Sequence, residues 1–164
     1  MNSTRILVLS GPNLQLLGTR EPEIYGLTTL PAIHAQLACV AEELGVDVDC
    51  KQSNAEGELC TWIGEAARDY AGVLLNAAAL SHTSLVLLDA VLASGVPCVD
   101  VHLSNYNARE DFRRQNLIAR VAVGSICGFG DLSYELGLRA LVAHLEQLVV
   151  ASQVPQIRGR GGRA

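Results

Sequence analysis

At 164 residues with 49% hydrophobic content, the chain is long enough to bury one full core and too short for a second domain of ordinary size. A formal net charge of -5 gives no long-range attraction for nucleic acid or an anionic membrane, so local arginines must meet any anionic ligand, and small metabolites rank ahead of polymers as partners. Five widely spaced cysteines without a C-x-x-C pair fit reduced thiols in a cytoplasmic protein; no apolar run approaches the roughly 20 residues of a membrane span, and neither a leader peptide nor an anchor is expected.

The first predicted strand is "RILVLS", Arg5 to Ser10, and it runs straight into "GPNLQLLGTREPEIYG", Gly11 to Gly26. Glycines and prolines there break regular structure, while Asn13, Arg20, Glu21 and Tyr25 offer chemistry on a loop. The spacing of Leu30, Ile33, Leu37, Val40, Ala41 and Leu44 predicts a helix over 28–44, with Pro31 in its first turn and Gly45 as its stop. "VDVDCKQ", Val46 to Gln52, is the second strand, followed by a helix over 56–70. "GVLLNA", Gly72 to Ala77, is the third, leading through "NAAALSHTS" into a helix over 83–93. "PCVDVH", Pro97 to His102, is the fourth, followed by a short helical turn over 109–115. "ARVAVG", Ala119 to Gly124, is the fifth, and an amphipathic helix over 131–150 closes a domain set at 1–152. The tail over 153–164 reads as a disordered Arg/Gly segment. Alternating strands and helices joined by right-handed crossovers give a parallel sheet covered on both faces: an α/β, flavodoxin-like three-layer sandwich with five strands.

Ligands of such sheets bind outside the carboxyl ends of the strands. The first strand delivers Asn13 there; the third delivers Asn76, Ser81, His82 and Thr83; the fourth delivers Asp100, His102, Ser104 and Arg109, with Arg113 one turn on. Taken singly, each has a plainer role. Asn13 and Asn76 suit loop caps, His82 a helix cap, His102 a core histidine satisfied by backbone, and Arg109 and Arg113 a solvated face paired with Glu110 or Asp111. Asp89 lies on the third helix among Leu87, Leu88, Ala90 and Val91, as an inward cap or an interface residue. Convergence of the set on one sheet edge is what points to a site. Phosphate loops, a serine-hydrolase elbow and an H-E-x-x-H pair are absent from the sequence, and Lys51 is its only lysine. A binding module for a polyol carboxylate uses the same strand ends without chemistry; a nucleotide-binding regulator lacks its phosphate loop.

Four segments, "GPNLQLLGTREPEIYG", "SNAEGEL", "NAAALSHTS" and "VHLSNYNAREDFR", resemble the type II 3-dehydroquinases in order and spacing, over nearly the whole chain. The resemblance implies dehydration of 3-dehydroquinate to 3-dehydroshikimate in the shikimate pathway of aromatic amino acid biosynthesis, with no metal and no cofactor, in a dodecamer built from trimers. It implies Tyr25 as base, Arg20 as an essential lid arginine, His102 as general acid and Asn13 as holder of a site water. Asn76, His82, Leu103, Ser104 and Arg113 are implied substrate contacts, and Asp89 reaches a neighbouring subunit's site. The chain departs from the family's usual "NPxAYTHTS" at Ala77, Leu80 and Ser81, and has Asp100 where the family usually has Glu.

Elimination beside a ketone needs a base, a home for enolate charge and an acid. A phenolate at neutral pH must be brought down from a pKa near ~10, which asks roughly 4 kcal/mol of nearby cations; Arg20 and Arg109 are the candidates. A water held by Asn13 would meet the enolate, and His102 would protonate the departing hydroxyl. Asp100, two residues earlier on the same strand and so on the same face, can orient that imidazole. The Leu103 and Ser104 amides suit a carboxylate, and Arg113 suits paired hydrogen bonds to hydroxyls.

Overall fold

The computed structural model describes residues 3–19 and 27–153. Five strands, β1 (Thr4–Ser10), β2 (Val46–Gln52), β3 (Gly72–Asn76), β4 (Cys98–His102) and β5 (Gly124–Cys127), form one parallel sheet in the order β2-β1-β3-β4-β5. Four helices cover it: α1 (Leu30–Leu44), α2 (Glu56–Glu65), α3 (Leu85–Ser94) and α4 (Leu132–Gln153).

Strand residues alternate between two cores, as a parallel sheet with two covered faces requires. Ile6 and Val8 of β1, Leu74 of β3, and Val99 and Val101 of β4 pack with α1 and α4. Leu7, Leu9, Val73, Leu75 and Cys98 point the other way, to Leu59 and Ile63 of α2 and Leu87 and Val91 of α3. The three central strands are buried along most of their length, whereas the edge strands β2 and β5 are largely half-buried or exposed. Each fully buried Leu or Ile contributes roughly 1.5–3 kcal/mol, so the central strands anchor the sheet.

Helix ends follow local chemistry. Thr29 caps α1 by accepting the Ala32 N–H, Pro31 sits in the first turn, and Gly45 closes the helix in the left-handed region at φ 68°. Ser84 caps α3 by accepting the Leu87 N–H at 2.9 Å, so the helix begins at Leu85 and His82 is not its cap. The segment expected as one helix over 56–70 ends its α-helix at Glu65 and finishes as a 3-10 turn, Ala66–Arg68. The last helix reaches Gln153, which the sequence assigned to the tail; residues 154–164 lie outside the described residues.

The fifth strand is where the sequence misleads. Residues 119–124 were expected to pair, yet Ile118–Arg120 is a 3-10 turn and pairing runs from Gly124 to Cys127. Val121 and Ala122 spend their N–H groups on the Ile118 carbonyl, and only Val123 reaches the sheet, donating to the Cys98 carbonyl at 2.7 Å. Ile118 and Val121 serve the α2–α3 core instead. A short apolar run is buried by either arrangement, and its pattern cannot choose between them.

In the order 2-1-3-4-5 successive strands are added to opposite sides of β1, and this switch between β1 and β3 opens a crevice at their carboxyl ends. The two loops leaving that point are tied by the Gly11 N–H to the Asn76 carbonyl at 2.7 Å. A Cβ on Gly11 would stand 2.8 Å from the Ala77 carbonyl carbon and oxygen, inside backbone rather than a yielding side chain. Gly11→Ala is therefore expected to destabilise the fold by about 1–3 kcal/mol through forced separation of the two loops. Urea unfolding measures it; an unchanged midpoint and slope would show that the loops yield freely.

Candidate active site

The crevice between the β1, β3 and β4 ends is lined by Asn13, Asn76, His82, His102, Leu103, Ser104, Arg109 and Arg113, together with Pro12, Leu14, Leu17 and Tyr106. Eight residues singled out from sequence thus meet around one cavity. A second hollow, between β5 and α4, is lined mainly by aliphatic groups with Ser125, His144 and Gln147, and lacks such a set of polar groups. Arg20 and Tyr25 lie outside the described residues.

Asn13 adopts a left-handed backbone at φ 67°, and its N–H donates to Asn54 Oδ1 at 2.9 Å, which ties the β1 loop to the segment after β2. Gln52 Nε2 donates to the same Asn54 oxygen and to the Gly11 carbonyl. These bonds account for the "SNAEGEL" stretch, which positions the loop carrying Asn13. Asn76, at the end of β3, is 2% exposed; its Oδ1 accepts the Ala78 N–H, while its Nδ2 makes no well-formed hydrogen bond among the described residues and interacts only loosely with the Tyr134 hydroxyl. A buried, unpaired amide costs roughly 1–3 kcal/mol, so this cavity-lining donor is suited to a ligand oxygen.

His82 is half-buried, and its Nδ1 lies 2.8 Å from the Gln115 carbonyl oxygen. A carbonyl only accepts, so Nδ1 carries the hydrogen and Nε2 is left with its lone pair in the neutral ring. Burial lowers the His82 pKa despite that bond, with His102 and Arg113 adding in the same direction.

His102 is not satisfied by backbone. Its Nε2 lies 3.0 Å from Asp100 Oδ1, and Asp100 is fully buried beneath it. The same carboxyl group's Oδ2 accepts from Asn116 Nδ2 at 2.7 Å and from Ser125 Oγ at 2.6 Å. The carboxyl group expected to orient the imidazole is thus within hydrogen-bond distance of it, and its further partners Asn116 and Ser125 were not foreseen. Nothing in their spacing flags Asn116, and Ser125 was hidden by the misplaced fifth strand. Tyr106 was also missed: its ring stands edge-on to His102, centroids 4.9 Å apart, and 6.0 Å from His82. Its place in "SNYN" directly after the strand bearing His102 was the available signal.

At the mouth, Arg109 Nε and Arg113 Nε approach Glu110 Oε2 at 3.5 and 3.1 Å, while Asp111 pairs with Arg114 instead. Glu110's own backbone N–H and the two guanidiniums hold its carboxyl below the usual range. The cysteines offer no competing nucleophile among the buried set. Burial pushes Cys50 up to about 12, and raises Cys60, Cys98 and Cys127 as well.

Asp89 stands apart from the cavity. It is exposed on α3, while Leu87 and Val91 are buried on the opposite side of the helix. Within one chain its carboxylate therefore bears no burial cost. Its exposed neighbours are apolar: Leu85 is 64% exposed, Val86 60% and Leu92 58%.

A family model described as "Dehydroquinase class II" matches residues 4–142. The chain is 52% identical over 143 residues to a 3-dehydroquinate dehydratase of Geotalea daltonii, covering 87% of this chain and 99% of that one. It is 55% identical over 141 residues to a 3-dehydroquinate dehydratase of Synechocystis sp., covering 86% and 93%. The crystal structure of a type II dehydroquinase from Propionibacterium acnes superposes with a TM-score of 0.83 at 43% identity, over 86% of this chain and 97% of that one.

The His82 environment makes a pH prediction. Its folded pKa lies below the ordinary 6.5, so below that pH the unfolded chain binds more protons than the folded one. Stability contributed by His82 is present above 6.5 and is lost as pH falls through that value toward the lower folded pKa; half-buried His34, lowered by burial, acts in the same direction. NMR titration should place the His82 midpoint below 6.5. A midpoint at or above it would mean that the imidazole is better solvated or better paired than its packing indicates.

Proposed function

The chain belongs to the class II dehydroquinase family, and from that premise we propose that it is a 3-dehydroquinate dehydratase, a hydro-lyase that forms 3-dehydroshikimate and water through an enolate. The observation that carries the reading is the His102–Asp100 pair set at the floor of a cavity whose walls supply amides and whose mouth supplies guanidiniums. An acid for a leaving hydroxyl and cations for a carboxylate substrate are what this elimination asks for.

In this reading Tyr25, on the loop after β1, takes a proton from the carbon beside the ketone, and Arg20 with Arg109 stabilises its phenolate. Charge gathering on the enolate oxygen is met by a water held at Asn13. His102 gives a proton to the hydroxyl at the far side of the new double bond, which leaves as water. The C–H electron pair becomes the enolate, then the carbon–carbon double bond as the C–O bond breaks. The Leu103 and Ser104 segment, directly after β4, receives the carboxylate. Asn76, the lone pair of His82 and Arg113 receive hydroxyls. All bonds made and broken are polar and two-electron, so this route calls on no metal or cofactor.

Assembly is part of the proposal. An exposed helical face carrying Leu85, Val86 and Leu92 is the kind of surface that a second copy covers. Asp89 lies within it, and covering it would create the need for a cation that the single chain does not impose. We place a neighbour's Arg113 there, in trimers that assemble further into a dodecamer. The five free cysteines and the absence, among the described residues, of a helix long and apolar enough to cross a membrane support a cytoplasmic location.

Purified protein mixed with 3-dehydroquinate should produce the ultraviolet absorbance of a conjugated enone; no absorbance change at saturating substrate would end the reading. Tyr25→Phe should keep the fold and lose nearly all turnover. Retention of more than about a tenth of wild-type kcat, under roughly 1.4 kcal/mol of barrier, would remove Tyr25 as the base. Asp89→Asn should weaken trimers or raise KM while sparing the proton chemistry. Sedimentation with kinetics decides this, and a fully active wild-type monomer would sink the shared site.

A further inference from the structure

We infer that Ser125 and Asn116 are positioning residues of the dehydration: they lock the Asp100 carboxyl group and through it fix which nitrogen of His102 faces the substrate. The inference rests on the dehydratase reading for its kinetic consequences, but its geometry stands independently.

Asp100 is 0% exposed, and the hydrogen bonds found for it are few and specific. Its Oδ2 accepts Ser125 Oγ–H at 2.6 Å and Asn116 Nδ2–H at 2.7 Å. Two donors on one oxygen make that oxygen a pure acceptor and hold the plane of the group. Oδ1 is then presented to His102 Nε2 at 3.0 Å, which must carry a hydrogen to bond it. Nδ1 is left as the ring's other polar atom, on a residue that lines the cavity; it carries a proton for the leaving hydroxyl only when the ring is an imidazolium paired with the Asp100 carboxylate, and giving that proton up returns the neutral Nε2–H ring.

The orientation of Asn116 follows from a separate bond. Its Oδ1 accepts the Ala119 N–H at 3.0 Å, so the side-chain amide can only turn its NH₂ toward Asp100. Asn116 Nδ2 also lies 3.2 Å from His102 Nε2. Both nitrogens carry hydrogens aimed at one carboxyl group, so this short separation reflects a shared acceptor and not a bond between them.

Ser125 arrives by strand register. Asp100 and Ser125 are direct partners in the β4–β5 ladder, which places their side chains on one face. An aspartate is one methylene shorter than a glutamate. Here the missing length is met from the side by an edge-strand hydroxyl and from the 3-10 segment by an amide. Removing either donor leaves Oδ2 held by a single bond, gives the carboxyl group freedom to rotate about it, and loosens Oδ1 from the imidazole.

The test uses full-length protein. In wild type, ¹⁵N NMR of the histidine rings should show His102 as the Nε2–H tautomer at a pH where it is neutral. Ser125→Ala should shift those resonances toward a tautomer mixture and lower kcat about 10-fold or more, with KM changed less than about two-fold, because misplacement of a proton donor is felt in the chemical step. Ser125→Thr, which keeps the hydroxyl, should restore most of kcat and the wild-type shifts. Asn116→Leu, near in volume, should act like Ser125→Ala if it folds; Ser125→Ala decides the matter if it does not. Retention of kcat within about two-fold by Ser125→Ala overturns the inference, as does a fall in kcat with the His102 resonances unmoved. A wild-type chain inert toward 3-dehydroquinate would instead overturn the dehydratase reading, and the NMR comparison would still report on positioning.

Discussion

A carboxyl group buried at the end of a central strand is the constraint on which the candidate site depends. Asp100 has no solvent to satisfy it, so its environment must supply donors, and each comes from a different part of the chain: His102 from its own strand, Ser125 from β5, Asn116 from the segment between them. Meeting that demand fixes the pairing of an otherwise short edge strand and the conformation of the 3-10 segment. A buried polar group of this kind costs stability unless fully paired, and when fully paired it specifies one arrangement. The same three bonds that satisfy the fold aim the imidazole.

Above this floor, the site is assembled from loops that tether each other. Gly11 touches the β3 loop through its backbone, Asn54 and Gln52 hold the β1 loop from the side of β2, and Tyr134 of α4, fully buried, reaches Ser10 at 3.0 Å. Burial raises the Tyr134 pKa to about 12, which keeps that hydroxyl protonated as a structural link at the end of β1. The rigid parts of the cavity are thus cross-braced at the switch point of the sheet, where crevices form for topological reasons before any chemistry is added. Groups from β3 and β4 are thereby fixed around the crevice.

Much of this was legible in the sequence because it depends on local signals. Strands β1 to β4 announced themselves as Val/Leu-rich runs, α1 by its stripe and its Pro31 and Gly45 ends, and the polar residues at strand ends by their position. Failures share one cause: they depend on pairing between distant segments. Residues 119–123 are apolar in either a strand or a core-filling turn, so the true β5 and with it Ser125 escaped notice. Asn116 looked like any loop asparagine because its value lies in what it touches across the fold. For Asp89 helical spacing alone was informative: α3 turns Leu87 and Val91 inward and leaves Asp89 outside.

The charge arrangement explains how a chain of net charge -5 can receive an anion. Two guanidiniums, Arg109 and Arg113, face the Glu110 carboxylate at the cavity mouth. Glu110 is exposed, and its bonds to the arginines are those of a solvent-screened surface pair. Such a partner holds the guanidiniums in place yet yields to a better one. Glu110, at the surface, can give way to a competing anion, whereas Asp100, buried under three donors, cannot. The cavity therefore divides its acids by burial: one is fixed in the floor and the other is exchangeable at the mouth.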